Sequence, residues 1–171
     1  MNIADKTIRT PQVRPFNSVL EYGFRTLFVL NAARGHGMDL ARLVSYDYLL
    51  VHSGDVDAGP ASLHPAMPHR GTELLVKRNV IHAGLTQMLG KELIEIDFAP
   101  QGFLYRATDM TDAFIKLLKS AYARELVARA EWIVGQFGGY SDQELETFMA
   151  QNLGRWGSEF ESLTAVDSLE L

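Results

Sequence analysis

Five side chains able to ligate a divalent ion, His52, Asp55, Asp57, His64 and His69, fall within eighteen consecutive positions. Imidazole and carboxylate together make a ligand set that zinc accepts. Their spacing matches neither H-E-x-x-H nor any other pair presented on one helix face, so hydrogen bonds that anchor a loop are the stronger reading and no metal is expected. The chain has no cysteine, which removes a thiolate nucleophile and any thiolate-bound zinc. Ser18, Ser45, Ser53 and Ser62 sit in no G-x-S-x-G elbow. Gly35-His36-Gly37 and Gly138-Gly139 lack the strand before and the helix after that a phosphate-binding loop needs, so they read as helix stops. The expectation is a chain with no catalytic residue and no cofactor, and hence not an enzyme.

A second set suits a nucleic acid. Lys77, Arg78, His82 and Gln87 share one helical stretch, Lys91 follows it and Arg106 lies on a strand beyond. Such side chains reach phosphates or base edges if the helix enters a groove. Glu73, Glu92, Glu95 and Asp97 nearly cancel their charge, and the whole chain carries −5. Binding to DNA by this chain alone should therefore be weak and salt-sensitive. The acidity is concentrated in residues 140–171, which carry −6, a charge better suited to a protein partner or to solvation than to DNA. Phe148, Trp156 and Phe160 recur there at helical spacing. They read most simply as core and alternatively as the face by which a terminal helix docks in a partner's groove.

The elements that must position these residues follow from pattern and punctuation. Ser18 with Glu21 has capping-box spacing and opens a helix to about Arg34, whose apolar residues cover more than one stripe. Asp39 caps a second helix using Leu40, Leu43, Val44, Leu50 and Val51. Gly54, Gly59, Pro60, Pro65 and Pro68 make residues 53–70 a long loop. Thr72 opens a third helix to Gly90, with Leu74, Ile81, Leu85 and Met88 on its apolar side and Lys77, His82, Thr86 and Gln87 elsewhere. The period then changes to two. Ile94, Ile96 and Phe98 predict a half-buried strand, Ala99-Pro100-Gln101-Gly102 a turn, and Phe103, Tyr105 and Ala107 a return strand. Thr108 or Asp109 caps a helix with Phe114, Leu117 and Leu118, and the next carries Tyr122, Leu126, Ala130, Ile133, Val134 and Phe137. Ser141 with Glu144 opens a terminal amphipathic helix, with a break expected near Gly154 or Gly157.

Three helices followed at once by a short hairpin and a further helix is the order of a winged helix-turn-helix, the third helix in the recognition position and the hairpin as its wing. The fold expected is mainly α: a winged helix plus additional C-terminal helices. Residues 1–16, with Pro11 and Pro15, read as an irregular arm, 17–139 as the winged-helix domain with its loop at 53–70, and 140–171 as an acidic helical extension. Winged helices serve both as DNA readers and as protein adaptors, so the fold alone does not choose between them. The first residues lack the apolar core of a signal peptide and no run approaches the roughly 18 apolar residues of a membrane span, so a soluble, cytoplasmic protein is expected.

Several stretches carry a further resemblance: Asn17-Ser18-Val19-Leu20-Glu21, Asp47-Tyr48-Leu49-Leu50-Val51-His52-Ser53-Gly54-Asp55-Val56, Ser62-Leu63-His64-Pro65, Arg70-Gly71-Thr72-Glu73-Leu74-Leu75-Val76-Lys77-Arg78, Tyr122-Ala123-Arg124 and Ala130-Glu131-Trp132. Over residues 17–163 the chain resembles the small middle component of bacterial three-component ABC-ATPase systems, a group that includes Lamassu-type anti-phage defence. The resemblance implies an accessory subunit beside an SMC-like ABC ATPase and a nuclease-type effector, in contact with DNA through the complex. It implies no catalytic residue and no metal. Two other readings stand beside it. A stand-alone winged-helix transcription regulator needs a symmetric dimer and a more basic recognition surface. A small-molecule sensor with the proline-rich loop as a lid needs a convergent polar set that the sequence does not display.

Overall fold

The computed structural model describes residues 17–66, 70–100 and 102–167. The expected arm over 1–16 and His69 lie outside them. Among the described residues six α-helices and one two-stranded antiparallel sheet follow one another: α1 (Val19–Ala32), α2 (Leu40–Val51), α3 (Arg70–Gly90), β1 (Ile94–Ala99), β2 (Gly102–Ala107), α4 (Asp109–Leu117), α5 (Ala121–Phe137) and α6 (Asp142–Asp167). The mainly helical expectation with a small hairpin is met in kind and in order.

Helix α1 is the hub. It packs against α2, α3, α4, α5 and β2, which is why its apolar residues wrap round more than one stripe. Ser18 accepts the Glu21 amide at 3.2 Å, satisfying an orphan donor of the first turn, while the Glu21 carboxylate takes the amide of Asn17, just before the cap, at 2.5 Å. The crossing with α3 is backbone on backbone. A Cβ added to Gly84 would lie 2.6 Å from the Gly23 nitrogen and 2.8 Å from the Val19 carbonyl oxygen, so only a residue without a side chain permits the approach. Asp39 caps α2 by accepting the Arg42 amide at 2.7 Å, and Leu43 and Tyr46 to Val51 of that helix are almost fully enclosed.

The hairpin pairs Ile94 with Ala107 through to Ala99 with Gly102. Its return strand is tied to the body by reciprocal bonds between the backbones of Met38 and Tyr105, at 2.9 and 2.8 Å. Phe98, expected on the half-buried face, is instead 81% exposed. The reason is length: Ile94 and Tyr105 reach the core, while the last pair of that face, Phe98 and Phe103, overhangs it.

Helix α6 corrects a second expectation. It runs unbroken through Gly154 and Gly157 for 26 residues. An interior glycine costs a helix only about 1 kcal/mol, and Leu145, Met149 and Trp156 bury one face of α6 in the common core.

Candidate functional site

Five helices and the long loop that closes over them, six segments in all, deliver polar and aromatic side chains to one largely buried junction. Arg25 of α1 and Asp47 of α2 are each 1% exposed and meet as a two-pronged pair, Nε to Oδ1 at 2.6 Å and Nη2 to Oδ2 at 3.0 Å. Glu21 adds a third bond to the guanidinium at 3.0 Å, and the Tyr22 ring lies 4.2 Å from its carbon. Burial opposes the charge on Arg25, yet attraction and hydrogen bonding to Asp47, with Glu21 beyond, outweigh it and hold the group above its ordinary basicity. Beside this pair the Tyr48 ring stacks on Trp156 of α6, centroids 5.5 Å apart, and Lys77 of α3 approaches the same ring at 5.6 Å.

The loop closes over the junction through its own bonds. The Val51 carbonyl accepts from the amides of both Leu63 and His64, at 2.9 and 3.0 Å, Ser62 Oγ takes the Gly54 amide, and Arg129 of α5 donates to the Ala61 carbonyl. Tyr48 donates its hydroxyl to Asp55 at 2.6 Å. His64 Nε2 lies 3.0 Å from the Tyr122 hydroxyl of α5, and their rings stack. Burial lowers the His64 pKa below its ordinary 6.5, and the nearby Arg25 lowers it further. Burial likewise raises Tyr122 above the usual phenol.

Each sequence-derived candidate now has a place. His52, Asp55, Asp57 and His64 all belong to the loop and its base. His52 is buried against Tyr48, and Asp57 is solvated near Arg155. Among the described residues no three such groups come close enough to hold a metal ion. Anchoring bonds occupy Asp55 and His64, in line with the loop-anchoring reading.

The candidate nucleic-acid residues divide. Arg78, His82, Gln87 and Lys91 are exposed, but Lys77, expected away from the apolar side of its helix, is 3% exposed and lies on the same face as Ile81, Leu85 and Met88. Its long stem lines the core and its ammonium reaches the Tyr48 ring, a contact that composition alone does not reveal. At about 100° per residue, Arg78 and His82 share one flank of α3, whereas Gln87 lies about 140° round from His82. Arg106 is half-exposed and ion-paired to Asp97 across the hairpin, its Nε buried without a hydrogen-bond partner among the described residues. The stretch from Leu74 to Gly90 contains no carboxylate.

Of the aromatic stripe, Trp156 takes the core reading, 2% exposed inside the junction and so not offered to a partner, while Phe148 is half-buried against Phe137 at 5.0 Å and Tyr140 at 6.3 Å. The side chain of Phe160 lies outside what is described. For a sensor, an open cleft of about 850 Å³ is lined by Asn31, Arg34, Thr108, Asp109, Asp112 and Glu131 among others, and by no residue of the long loop.

The Arg25–Asp47 pair was not singled out from the sequence. Its signal was there: a lone cation within Phe24–Leu30 and a lone carboxylate within Tyr46–Val51, charges inside otherwise apolar helical runs. The junction also unites residues from separate stretches on which the family resemblance rested, with Glu21, Asp47, Tyr48, His64, Lys77 and Tyr122 all contributing.

The comparisons extend that resemblance. A family model described as ABC-three component (ABC-3C) system Middle Component 2 matches residues 15–159. Comparison with curated proteins and with solved structures gave no match. Among the described residues no helix is long and apolar enough to cross a membrane.

Proposed function

The chain belongs to the ABC-3C system Middle Component 2 family, and from that premise we propose that it is a non-catalytic adaptor bridging an SMC-like ABC ATPase and a nuclease-type effector in a cytoplasmic anti-phage complex related to the Lamassu systems. A middle component of a multi-component ABC system has partner subunits, an ABC ATPase among them. The family match is the observation that carries the reading. The geometry adds support of a different kind: the buried junction is spent on internal contacts that fix six elements relative to one another. It forms a rigid platform, with the Tyr48 hydroxyl held by Asp55 and His64 by Tyr122, and chemistry needs no part in it.

In this reading α1 to α3 and the hairpin form a winged helix, supported by the element order and by the Met38–Tyr105 bridge that adds a third backbone segment to the hairpin. Contact with DNA is made within the complex by the outer surface of α3 over Leu74–Gly90, a stretch without carboxylates, through Arg78 and His82 with Lys91 just beyond its end. So few cations make the contact weak for the free subunit. The stand-alone regulator is the second reading. It shares the α3 surface but needs a dimer.

A tagged pull-down from the native host, with mass determination before and after DNA digestion, tests the adaptor. Recovery of an ABC ATPase and a nuclease-like chain after digestion is the expected result. A homodimer alone, with tight binding to one duplex sequence, would replace the adaptor with the regulator. The DNA contact is tested separately with Arg78→Glu and Lys91→Glu in the assembled complex. Each reversal should lower the salt slope of DNA binding by about 1, and an unchanged slope removes α3 from the interface.

A further inference from the structure

Helix α4 buries one side and leaves the other uncovered. Thr111, bonded to the Leu93 carbonyl, and Ile115 are buried against the body. On the outer side Met110 and Leu117 are 52% and 75% exposed, Ala113 is exposed, and Phe114 is half-buried on Phe24, ring centroids 5.6 Å apart. At about 100° per residue these four side chains fall within about 100° of arc, which makes them one apolar stripe. Leu20, one turn before Phe24 and 41% exposed, extends it onto α1. Asp109 and Lys116, both exposed, lie two turns apart on the flank of the stripe beside Ala113. Lys116 meets Asp112 within its own helix, but that pair is exposed and holds the lysine only loosely.

The pattern reads the same in both directions along the helix. About a centre between Ala113 and Phe114, Met110 exchanges with Leu117 and the small Ala113 with the large Phe114. Asp109 exchanges with Lys116 to within two positions, inside the reach of a lysine side chain. A two-fold axis through that centre lays α4 antiparallel on its own copy, and each patch then meets itself, as an isologous interface requires. Equivalent flanks face each other in an antiparallel helix pair, so Asp109 of each copy meets Lys116 of the other at both ends. Met110 covers Leu117, and the room left by Ala113 receives Phe114 of the other copy. A partner of different sequence has no need of such a palindrome. A nucleic acid gains nothing from an apolar stripe flanked by one charge of each sign.

We infer that the chain self-associates through the outer face of α4 as a symmetric antiparallel dimer, closed by Met110, Ala113, Phe114 and Leu117 and tied at each end by Asp109 and Lys116. The inference goes beyond the adaptor reading and needs neither the ATPase nor DNA. Nor does it select the stand-alone regulator, which also requires tight binding to one duplex sequence. Nine helical residues span only about 13 Å, so the contact falls below the roughly 1,200 Å² of a standard interface and the dimer is weak and concentration-dependent.

Sedimentation equilibrium of the full chain, over roughly 1 μM to 1 mM, tests it. The proteins are the wild type, Met110→Ser/Leu117→Ser, Asp109→Lys, Lys116→Glu and an equimolar mixture of the last two, with Phe98→Ser on the hairpin tip as the control for losing exposed apolar area. The wild type should pass from monomer to dimer, the apolar double variant should dimerise about tenfold more weakly or worse, and Phe98→Ser should match the wild type. Asp109→Lys sets two lysines against each other at both ends and Lys116→Glu sets two carboxylates, so each alone should weaken the dimer. Mixed, every end regains one cation and one anion, and dimerisation should return to near wild-type strength. A second readout is independent of charge. The chain has no cysteine, so Ala113→Cys, beside the axis, should form an intermolecular disulfide under mild oxidation at a concentration where Ala150→Cys, exposed on α6, stays monomeric. Circular dichroism checks that each variant folds, and where a charge variant does not, the cysteine pair decides. A wild type that stays monomeric throughout overturns the inference. So does a dimer that the apolar double variant leaves unchanged, one that folded charge variants do not restore on mixing, or one that cross-links equally well through Ala150→Cys.

Discussion

Removing Asp47 should be among the most damaging single truncations in this protein. Arg25 and Asp47 are both 1% exposed, and Asp47 takes two of the guanidinium's three charged hydrogen bonds. Asp47→Ala leaves a buried cation with Glu21 as its remaining described carboxylate, and that residue stands partly in solvent, at 16% exposure. Breaking a buried pair by removing one partner costs about 3–5 kcal/mol, because the surviving charge keeps its desolvation penalty and loses its compensation. For a chain of this size that is a fall of about 6–20 °C in melting temperature. Replacing both partners by apolar residues of similar volume, Arg25→Met with Asp47→Leu, removes the charge as well as the bond, and should lose far less than the two single changes together. Urea and thermal unfolding at pH 7.5 of five proteins, the wild type, Asp47→Ala, Arg25→Met, Asp47→Leu and the double variant, followed by far-UV circular dichroism, gives the truncation cost and the cycle. A loss below about 1 kcal/mol for Asp47→Ala, or a double variant as unstable as the sum of the singles, would refute the assignment of this pair as the electrostatic centre of the junction.

Two further outcomes follow from the same contacts. Because the folded pKa of His64 lies below its ordinary 6.5, the native state favours the neutral ring, and its contribution is fully present above that value and lost as pH falls through the folded pKa. Stability measured between pH 7.5 and 5 should decline on the acid side, and His64→Gln should flatten that decline; an unchanged slope would mean that the ring does not titrate against the junction. Gly84→Ala drives a methyl group into the backbone of α1 and should destabilise by about 1–3 kcal/mol or more in chemical denaturation, whereas Gly90→Ala, with open space around it, should be neutral or stabilising. Equal effects at the two glycines would remove the argument for a close helix crossing.

Much of the scaffold is local and was therefore legible. Ser18 and Glu21, Asp39, and Ser141 with Glu144 all bond within their own first turns, so these helix starts can be read from four consecutive residues, while the Ser120 cap of α5 was not singled out. The alternation from Ile94 and the Pro-Gly turn likewise fix a hairpin through neighbouring residues alone. Burial is different, since it depends on what another element places against a side chain. Lys77 sits on the apolar side of α3 because Tyr48 of α2 is there to receive it, and Phe98 is exposed because the body ends beneath Ile94 and Tyr105. Gly154 and Gly157 did not break α6 because Trp156 between them found the Tyr48 ring. The sequence by itself determined the order and kind of the elements and the residues that begin α1, α2, α4 and α6, because those are set by interactions a few positions apart, whereas α3 starts at Arg70 and not at the expected Thr72. Only the tertiary structure decided that Arg25, Asp47, His64, Lys77, Tyr122 and Trp156 form one junction, since that requires helices far apart in the chain to cross at chosen faces, and no spacing rule records which face a helix turns to a neighbour.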